Sequence, residues 1–165
     1  MQISRIIKVS APIEKVWSIV AEHYHHVGRW ASAVNVSKEN TSANKVNGSA
    51  VGGRICETSL GLFRETIEIY NPANKTLQYS ATGDKMPFFV KSLGGHWQLK
   101  RLSDNQTEVS MTFNADLMFP FSMLMGWMMR MQFAKAINET LEELAFYAET
   151  DDVHQRKKAM LVAAA

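Results

Sequence analysis

The sequence predicts an α+β fold in which a curved antiparallel sheet wraps around a long C-terminal helix, with two short helices near the start. Three patterns carry that prediction. From about Ala50 to Leu117 apolar and polar residues alternate with period two, broken by turn-forming clusters roughly every ten residues, which is the texture of an antiparallel meander. Ahead of this stretch Ile13, Val16, Trp17 and Val20 recur at helical spacing. Behind it Ile137, Leu141, Leu144 and Ala148 fall on one helical stripe.

In chain order, Gln2 to Ser10 is rich in β-branched residues and ends at Ala11-Pro12, so a strand runs into a helix with proline at its first turn. The helical spacing fades in the polar stretch EHYHH, after which a short helix or turn carries the chain to Trp30. Residues 31 to 36 begin a second strand. Turn signals at Leu60-Gly61, Asn71-Pro72-Ala73-Asn74, Gly83-Asp84 and Ser103-Asp104-Asn105 divide the meander. Its clearest strand sets Val109, Met111, Phe113, Ala115 and Leu117 on a dry face against Glu108, Ser110, Thr112, Asn114 and Asp116 on a wet one. Residues 119 to 150 form the long helix. A single domain thus spans 1–150, and 151–165 is expected to be a polar, frayed tail.

Composition narrows the function classes. A chain of 165 residues is one domain with room for a sizeable core. Eighteen Lys and Arg against sixteen Asp and Glu give a net charge of +2, dispersed along the chain, which argues against a nucleic-acid partner. The lone cysteine, Cys56, excludes an internal disulfide and fits a reducing compartment. Arg5 and Lys8 interrupt the start where a signal peptide needs an apolar stretch, so a cytoplasmic protein is expected. His23 and His26 share a helix side, but His25 points elsewhere and no Cys or carboxylate pattern completes a metal site; neither metal nor cofactor is expected. Cys56 has no neighbouring histidine to make it a thiolate nucleophile, and no GxGxxG, P-loop, GxSxG or HExxH pattern occurs.

The hairpin around Leu60-Gly61 yields a candidate site. With those two residues as the loop, Ser59 opposes Leu62, Thr58 opposes Phe63 and Cys56 opposes Glu65. Alternation then gathers Arg54, Cys56, Thr58, Phe63, Glu65, Ile67 and Ile69 on one side, against Glu57, Ser59, Arg64, Glu68 and Tyr70. The first set is more apolar and faces inward, making Arg54 and Glu65 an inward pair of diagonal neighbours. A charge facing an apolar interior is costly unless paired. Either the pair is structural and fixes register, or Arg54 orients a ligand oxygen while Glu65 acts as acid or base.

Taking SDNQ as a hairpin turn, Leu99 opposes Val109 and Trp97 opposes Met111, so both join the inner face with Leu93. Lys91 shares their parity and is either a solvated rim residue or an anchor for an acidic head group. Tyr79, between Leu77 and Ala81 on its face, packs or donates a hydrogen bond to a ligand. His96 has the opposite parity.

Six of the ten methionines lie between Leu117 and Phe133. Only thirteen uncharged residues separate Asp116 from Arg130, short of the about 20 a bilayer span requires, so stable membrane insertion is not expected. Methionine is flexible and polarizable and suits a surface that adapts to variable apolar shapes. The methionine-rich segment, with Phe121, Trp127 and Met131, is expected to form a pliable cavity wall opposite Phe63, Tyr79, Trp97, Met111 and Phe113. In the alternative, Met123, Met125, Met128 and Met129 form an exposed patch for a protein partner or membrane surface.

The segments SAPIEKVWSIV, GRW at Trp30, VGGR, FRETIEIYNPANKTLQYSATG, HWQL and TEVSMTF, in that order, resemble the START-like superfamily, also known as Bet v 1-like or SRPBCC, and within it the polyketide cyclase/dehydrase-like branch. The resemblance covers about residues 3 to 150. It implies a helix-grip fold, with seven antiparallel strands curled around the C-terminal helix and an apolar cavity between them. Members bind lipids, hormones, polyketides or other small hydrophobic molecules, and a minority are enzymes. An arginine and a glutamate at strand positions matching Arg54 and Glu65 recur in the branch and are catalytic in one plant member. The leading expectation is a carrier or sensor of a small hydrophobic molecule. A cyclase, dehydratase or isomerase using Glu65 as acid/base and Arg54 as oxyanion stabiliser is the alternative, since fold alone does not decide function. Nothing in the sequence sets an oligomeric state.

Overall fold

The computed structural model describes residues 1–124 and 126–163. Its strands are β1 (Gln2–Val9), β2 (Val36–Glu39), β3 (Gly53–Thr58), β4 (Gly61–Asn71), β5 (Thr76–Gly83), β6 (Val90–Ser103) and β7 (Gln106–Leu117). They form one antiparallel seven-stranded sheet in the order β1-β7-β6-β5-β4-β3-β2. Between β1 and β2 run α1 (Ile13–Trp17), a π-helical turn at Ser18–Glu22 and a 3₁₀ segment at Tyr24–Arg29. After β7 come α2 (Phe121–Leu124), α3 (Gly126–Thr150) and α4 (Gln155–Ala163). The seven-stranded α+β arrangement is the expected one.

Each element follows from local chemistry. Pro12 is the N-cap of α1 in extended conformation, and the helix buries Ile13, Val16 and Trp17. The β6–β7 register is the one alternation predicts: Trp97 opposes Met111 and Leu99 opposes Val109, with all four buried. Helix α3 packs on β1 and β7 through Ile137, Leu141, Leu144 and Ala148. Burial of each such large aliphatic side chain contributes about 1.5–3 kcal/mol.

Three expectations are corrected. The β3–β4 loop is Ser59-Leu60, so Arg54 opposes Glu65 directly and Cys56 opposes Phe63. Gly61 has φ +111°, a conformation open to glycine, and the Thr58 hydroxyl donates to the Gly61 carbonyl and accepts from the Leu60 amide, closing the turn there. Because the two-residue shift preserves parity, Arg54 and Glu65 still face inward. Second, a bulge between Ile67 and Ile69 turns Ile69 outward and brings Tyr70 onto Trp17, with ring centroids 5.4 Å apart.

The third correction concerns the frayed tail. Residues 155–163 form α4, which is held at both faces. Glu143 on α3 is buried and accepts from the Ser32 amide (2.7 Å), the Ser32 hydroxyl (2.6 Å) and Arg156 Nε (2.8 Å). Lys157 is buried too, its Nζ donating to the Val34 carbonyl at 2.7 Å.

Candidate functional site

Direct opposition across β3 and β4 brings Arg54 Nε within 2.8 Å of Glu65 Oε2, and both side chains are about nine-tenths buried. The 3₁₀ segment delivers a third member. Tyr24, fully enclosed, donates its hydroxyl to the same Glu65 oxygen, while its backbone carbonyl accepts from an Arg54 terminal nitrogen at 3.0 Å. The guanidinium also lies over the Tyr24 ring, 4.0 Å from its centroid. Tyr79 on β5 closes the group, its ring 6.1 Å from that of Tyr24 and 6.0 Å from the guanidinium. That ring covers Gly95, where a Cβ would lie 2.5 Å from the Tyr79 hydroxyl; glycine is needed for this close approach.

The cluster is electrostatically matched. Burial opposes the charge on Arg54, yet the carboxylate of Glu65, aided by its other neighbours, raises the guanidinium above its ordinary value. Burial pushes the phenols of Tyr24 and Tyr79 well above their usual range, and the Glu65 charge adds to both shifts. The Cys56 thiol, on the same face, is pushed up to about 11 by burial, so it is no nucleophile near neutrality.

Two polar atoms of the cluster stay free. Glu65 Oε1 and the Tyr79 hydroxyl have no hydrogen-bond partner among the described residues. The deep cluster therefore offers one carboxylate oxygen and one hydroxyl to whatever reaches it.

An apolar cavity of about 270 Å³ lies between the β3–β4 turn, the β5–β6 loop and the N-terminal half of α3. Phe63, Leu93, Met128, Met129 and Phe133 line it, and Lys85 stands at its edge. Phe63 sits two residues before Glu65 on the same face of β4, so a cavity residue and the buried ion pair are neighbours along the strand. Phe113 stacks on Phe133 with centroids 4.7 Å apart and backs the cavity from β7.

The expected site residues thus divide into groups. Arg54, Glu65 and Tyr79 meet in the polar cluster, and Phe63 with the Phe113–Phe133 stack borders the cavity. Trp97 and Met111 are packed in the hydrophobic core. Phe121 stacks on Phe89, itself a cavity residue, with centroids 4.8 Å apart. Trp127 and Met131, expected to line the cavity, instead point outward at 67% and 63% exposure. The inward stripe extends from Ile137 back through Phe133 to Met129 in steps of four, and Trp127 and Met131 lie two residues off it. Lys91 occupies a register irregularity between Val90 and Ser92 and is exposed. Of the alternative methionine patch, Met123 and Met128 are exposed, Met129 is half-buried, and Met125 lies outside the described residues.

Sequence reasoning missed Tyr24, hidden in a polar run; its one signal is a spacing of four from Val20. It also missed Phe133 as a cavity residue, although the α3 stripe read backward reaches it; Met128 and Met129 line the cavity as members of the methionine segment expected to form its wall.

Comparison with known proteins agrees with this fold. A family model described as polyketide cyclase / dehydrase and lipid transport matches residues 1–149. No curated protein is significantly similar in sequence. Among solved structures, a START superfamily protein from Mycobacterium smegmatis superposes with TM-score 0.72 at 16% identity, covering 92% of this chain and 99% of that one. The protein XoxI from Bacillus cereus gives TM-score 0.72 at 15% identity, covering 93% and 99%. The Zhui aromatase/cyclase from Streptomyces sp. R1128 gives 0.62 at 13% identity, covering 93% and 99%. At these identities the likeness establishes the fold, with its sheet and C-terminal helix.

Proposed function

The chain belongs to the polyketide cyclase/dehydrase and lipid transport family, and on that premise we propose that it binds a small hydrophobic molecule in the cavity between sheet and α3, as a carrier or sensor. The observation that carries this reading is the apolar cavity of about 270 Å³ with the Arg54–Glu65–Tyr79 cluster behind Phe63. Its volume is at the small end of ligand sites, which run to about 300–1,000 Å³, and suits one or two rings or a short acyl chain. The ligand's apolar body contacts Met128, Met129 and Phe133. A single polar group directed past Phe63 meets Glu65 Oε1 and the Tyr79 hydroxyl.

Native mass spectrometry of freshly purified protein, followed by organic extraction, tests for a retained ligand. Titration with the neutral two-ring probe N-phenylnaphthylamine tests the cavity itself. Fluorescence enhancement that Met129→Trp abolishes, by filling the space, supports the reading. Enhancement unchanged by Met129→Trp places the probe elsewhere and, with no retained ligand, overturns it.

A second reading, a cyclase, dehydratase or isomerase, is favoured by one observation: Glu65 keeps an unpartnered oxygen while Arg54 holds the other. Glu65 then moves the proton and Arg54 stabilises charge developing on a ligand oxygen. Turnover of a ketone or polyketide substrate that survives Glu65→Gln unchanged removes Glu65 from such a mechanism.

A further inference from the structure

The meander's topology sends the β3–β4 turn, the β5–β6 loop and the C-terminal end of β7 to the same end of the sheet, where α2 and the start of α3 join them. That end carries a concentration of exposed apolar side chains. Leu60, Phe88, Phe119, Met123, Trp127 and Met131 are each between 63% and 78% exposed there. Among the described residues every exposed Phe, Trp and Met lies at this end, and none is found on the opposite turns. The loops are tied together: Phe88 meets Phe121 edge-on at 5.3 Å, and the Met118 amide donates to the Phe89 carbonyl at 2.8 Å. The tips are therefore held in place as one surface.

Its charge is one-sided. No acidic residue occurs between Asp116 and Glu139, a stretch that contributes Arg130 and Lys135; the β5–β6 loop adds Lys85 and the start of β6 adds Lys91. All four cations are exposed, and none of them is paired with a residue of this end. Of the nearby acids, Asp84 is paired with Arg64, and Asp116 shares a depression with Trp127 and Arg130. Lys135 has Glu139 at 3.9 Å toward the far half of α3, where Glu142 lines the same depression.

We propose that this end docks on an anionic lipid bilayer, with Phe88, Phe119, Trp127 and the exposed methionines entering the interface and Lys85, Lys91, Arg130 and Lys135 meeting the head groups. Charge complementarity selects this occupant. Aromatic and methionine tips ringed by lysine and arginine fit the boundary between acyl chains and anionic head groups. A second copy of the chain fits poorly, because a two-fold dimer through this face would set the same cations against one another. The cavity opens on this end through Leu60, Lys85 and Met128, so docking places its mouth against the lipid. A hydrophobic ligand then passes between bilayer and protein without crossing water. Docking itself stands on the exposed surface alone and does not depend on the ligand reading, so either can fail without the other.

The test is cosedimentation of the full chain with vesicles of phosphatidylcholine alone and of phosphatidylcholine mixed with phosphatidylglycerol. The protein is expected to pellet with the anionic vesicles, and more weakly as salt is raised. Trp17, Trp30 and Trp97 are buried, so a blue shift of tryptophan emission on binding reports Trp127. Phe88→Ser with Trp127→Ser is expected to lower binding at least tenfold. Lys91→Gln with Arg130→Gln is expected to lower it about fivefold per charge on anionic vesicles only. These side chains are exposed, and an unchanged circular dichroism spectrum shows that the variants fold. Absence of pelleting with both vesicles overturns the proposal. So does a light-scattering mass showing a dimer that Trp127→Ser dissociates, since the surface then belongs to a second copy.

Discussion

Arg54 and Glu65 face each other directly across the β3–β4 ladder, Nε 2.8 Å from Oε2, on the buried inner face of the sheet. Removing one partner strands the other charge in a buried setting, and such losses run to about 3–5 kcal/mol. Arg54→Ala and Glu65→Ala are each expected to fall in that range by chemical denaturation at neutral pH. Arg54→Met combined with Glu65→Leu should recover most of the loss. A double variant no more stable than the singles would show that the pair contributes more than mutual neutralisation.

Tyr24 adds a pH dependence of definite sign. Its phenol, like that of Tyr79, is held above the ordinary value of 10.0 in the folded protein, chiefly by burial. A group whose folded value is raised contributes stability that is present below its unfolded value and lost as pH climbs above it. Stability is therefore expected to fall steadily above pH 10, and ultraviolet titration should show Tyr24 and Tyr79 ionising only as the protein unfolds. Tyr24→Phe should flatten that alkaline decline. At neutral pH it should cost about 1.5–3 kcal/mol for a lost hydrogen bond to a charged acceptor.

Cys56 is 2% exposed and its thiol is pushed up to about 11. Reaction with a chromogenic disulfide reagent at mildly alkaline pH is expected to be slow in the folded protein and immediate in denaturant. Fast native labelling would mean that β3 opens readily.

The dry face of β7 from Val109 to Leu117, the β6–β7 register and the Ile137–Ala148 stripe were legible in the sequence because alternation and helical spacing both report which side an extended element or a helix buries. The β3–β4 register was not, because Gly61 reads equally well as a loop residue or as the first residue of the next strand; its positive φ settles the matter. Parity survived the error, and with it the inward placement of Arg54 and Glu65. The bulge after Ile67 leaves no mark on composition. Helix α4 escaped notice because its burial rests on Lys157 and on the Arg156–Glu143 pair, and polar residues carry no burial pattern until their partners are known. The orientation of Trp127 and Met131 was obscured by a segment apolar on every side, where periodicity has no contrast.

That α4 is a structural element gives another measurable outcome. Glu143 is the shared acceptor for Ser32 and Arg156, joining α4 and the loop after the 3₁₀ segment to α3. Glu143→Ala leaves the Ser32 amide and hydroxyl without their acceptor and is expected to cost about 3 kcal/mol. Limited proteolysis should then cleave after residue 150 in the variant and spare the parent chain. Equal resistance in both would mean that α4 is held by Lys157 and Val34 alone.

Phe63 governs whether the apolar cavity and the polar cluster act as one site. It lines the cavity with Met129 and Phe133, lies two residues from Glu65 on the same face of β4, and packs over Gly83, where a Cβ would lie 2.8 Å from it. Phe63→Ala removes the one side chain on that face between the cavity rim and Glu65. Because the ring is only half-buried, the cost should fall below the about 3–5 kcal/mol of a fully enclosed phenylalanine, near 2 kcal/mol. The enlarged cavity then reaches Glu65 Oε1 and the Tyr79 hydroxyl, so N-phenylnaphthylamine is expected to bind with a less blue emission than in the parent protein, reporting polar surroundings. Combining Phe63→Ala with Glu65→Gln should shift that emission again, whereas Glu65→Gln alone, with the ring in place, should leave it unchanged. A probe spectrum indifferent to Glu65 in both backgrounds would mean that the two compartments remain separate and that no ligand group reaches the ion pair from the cavity.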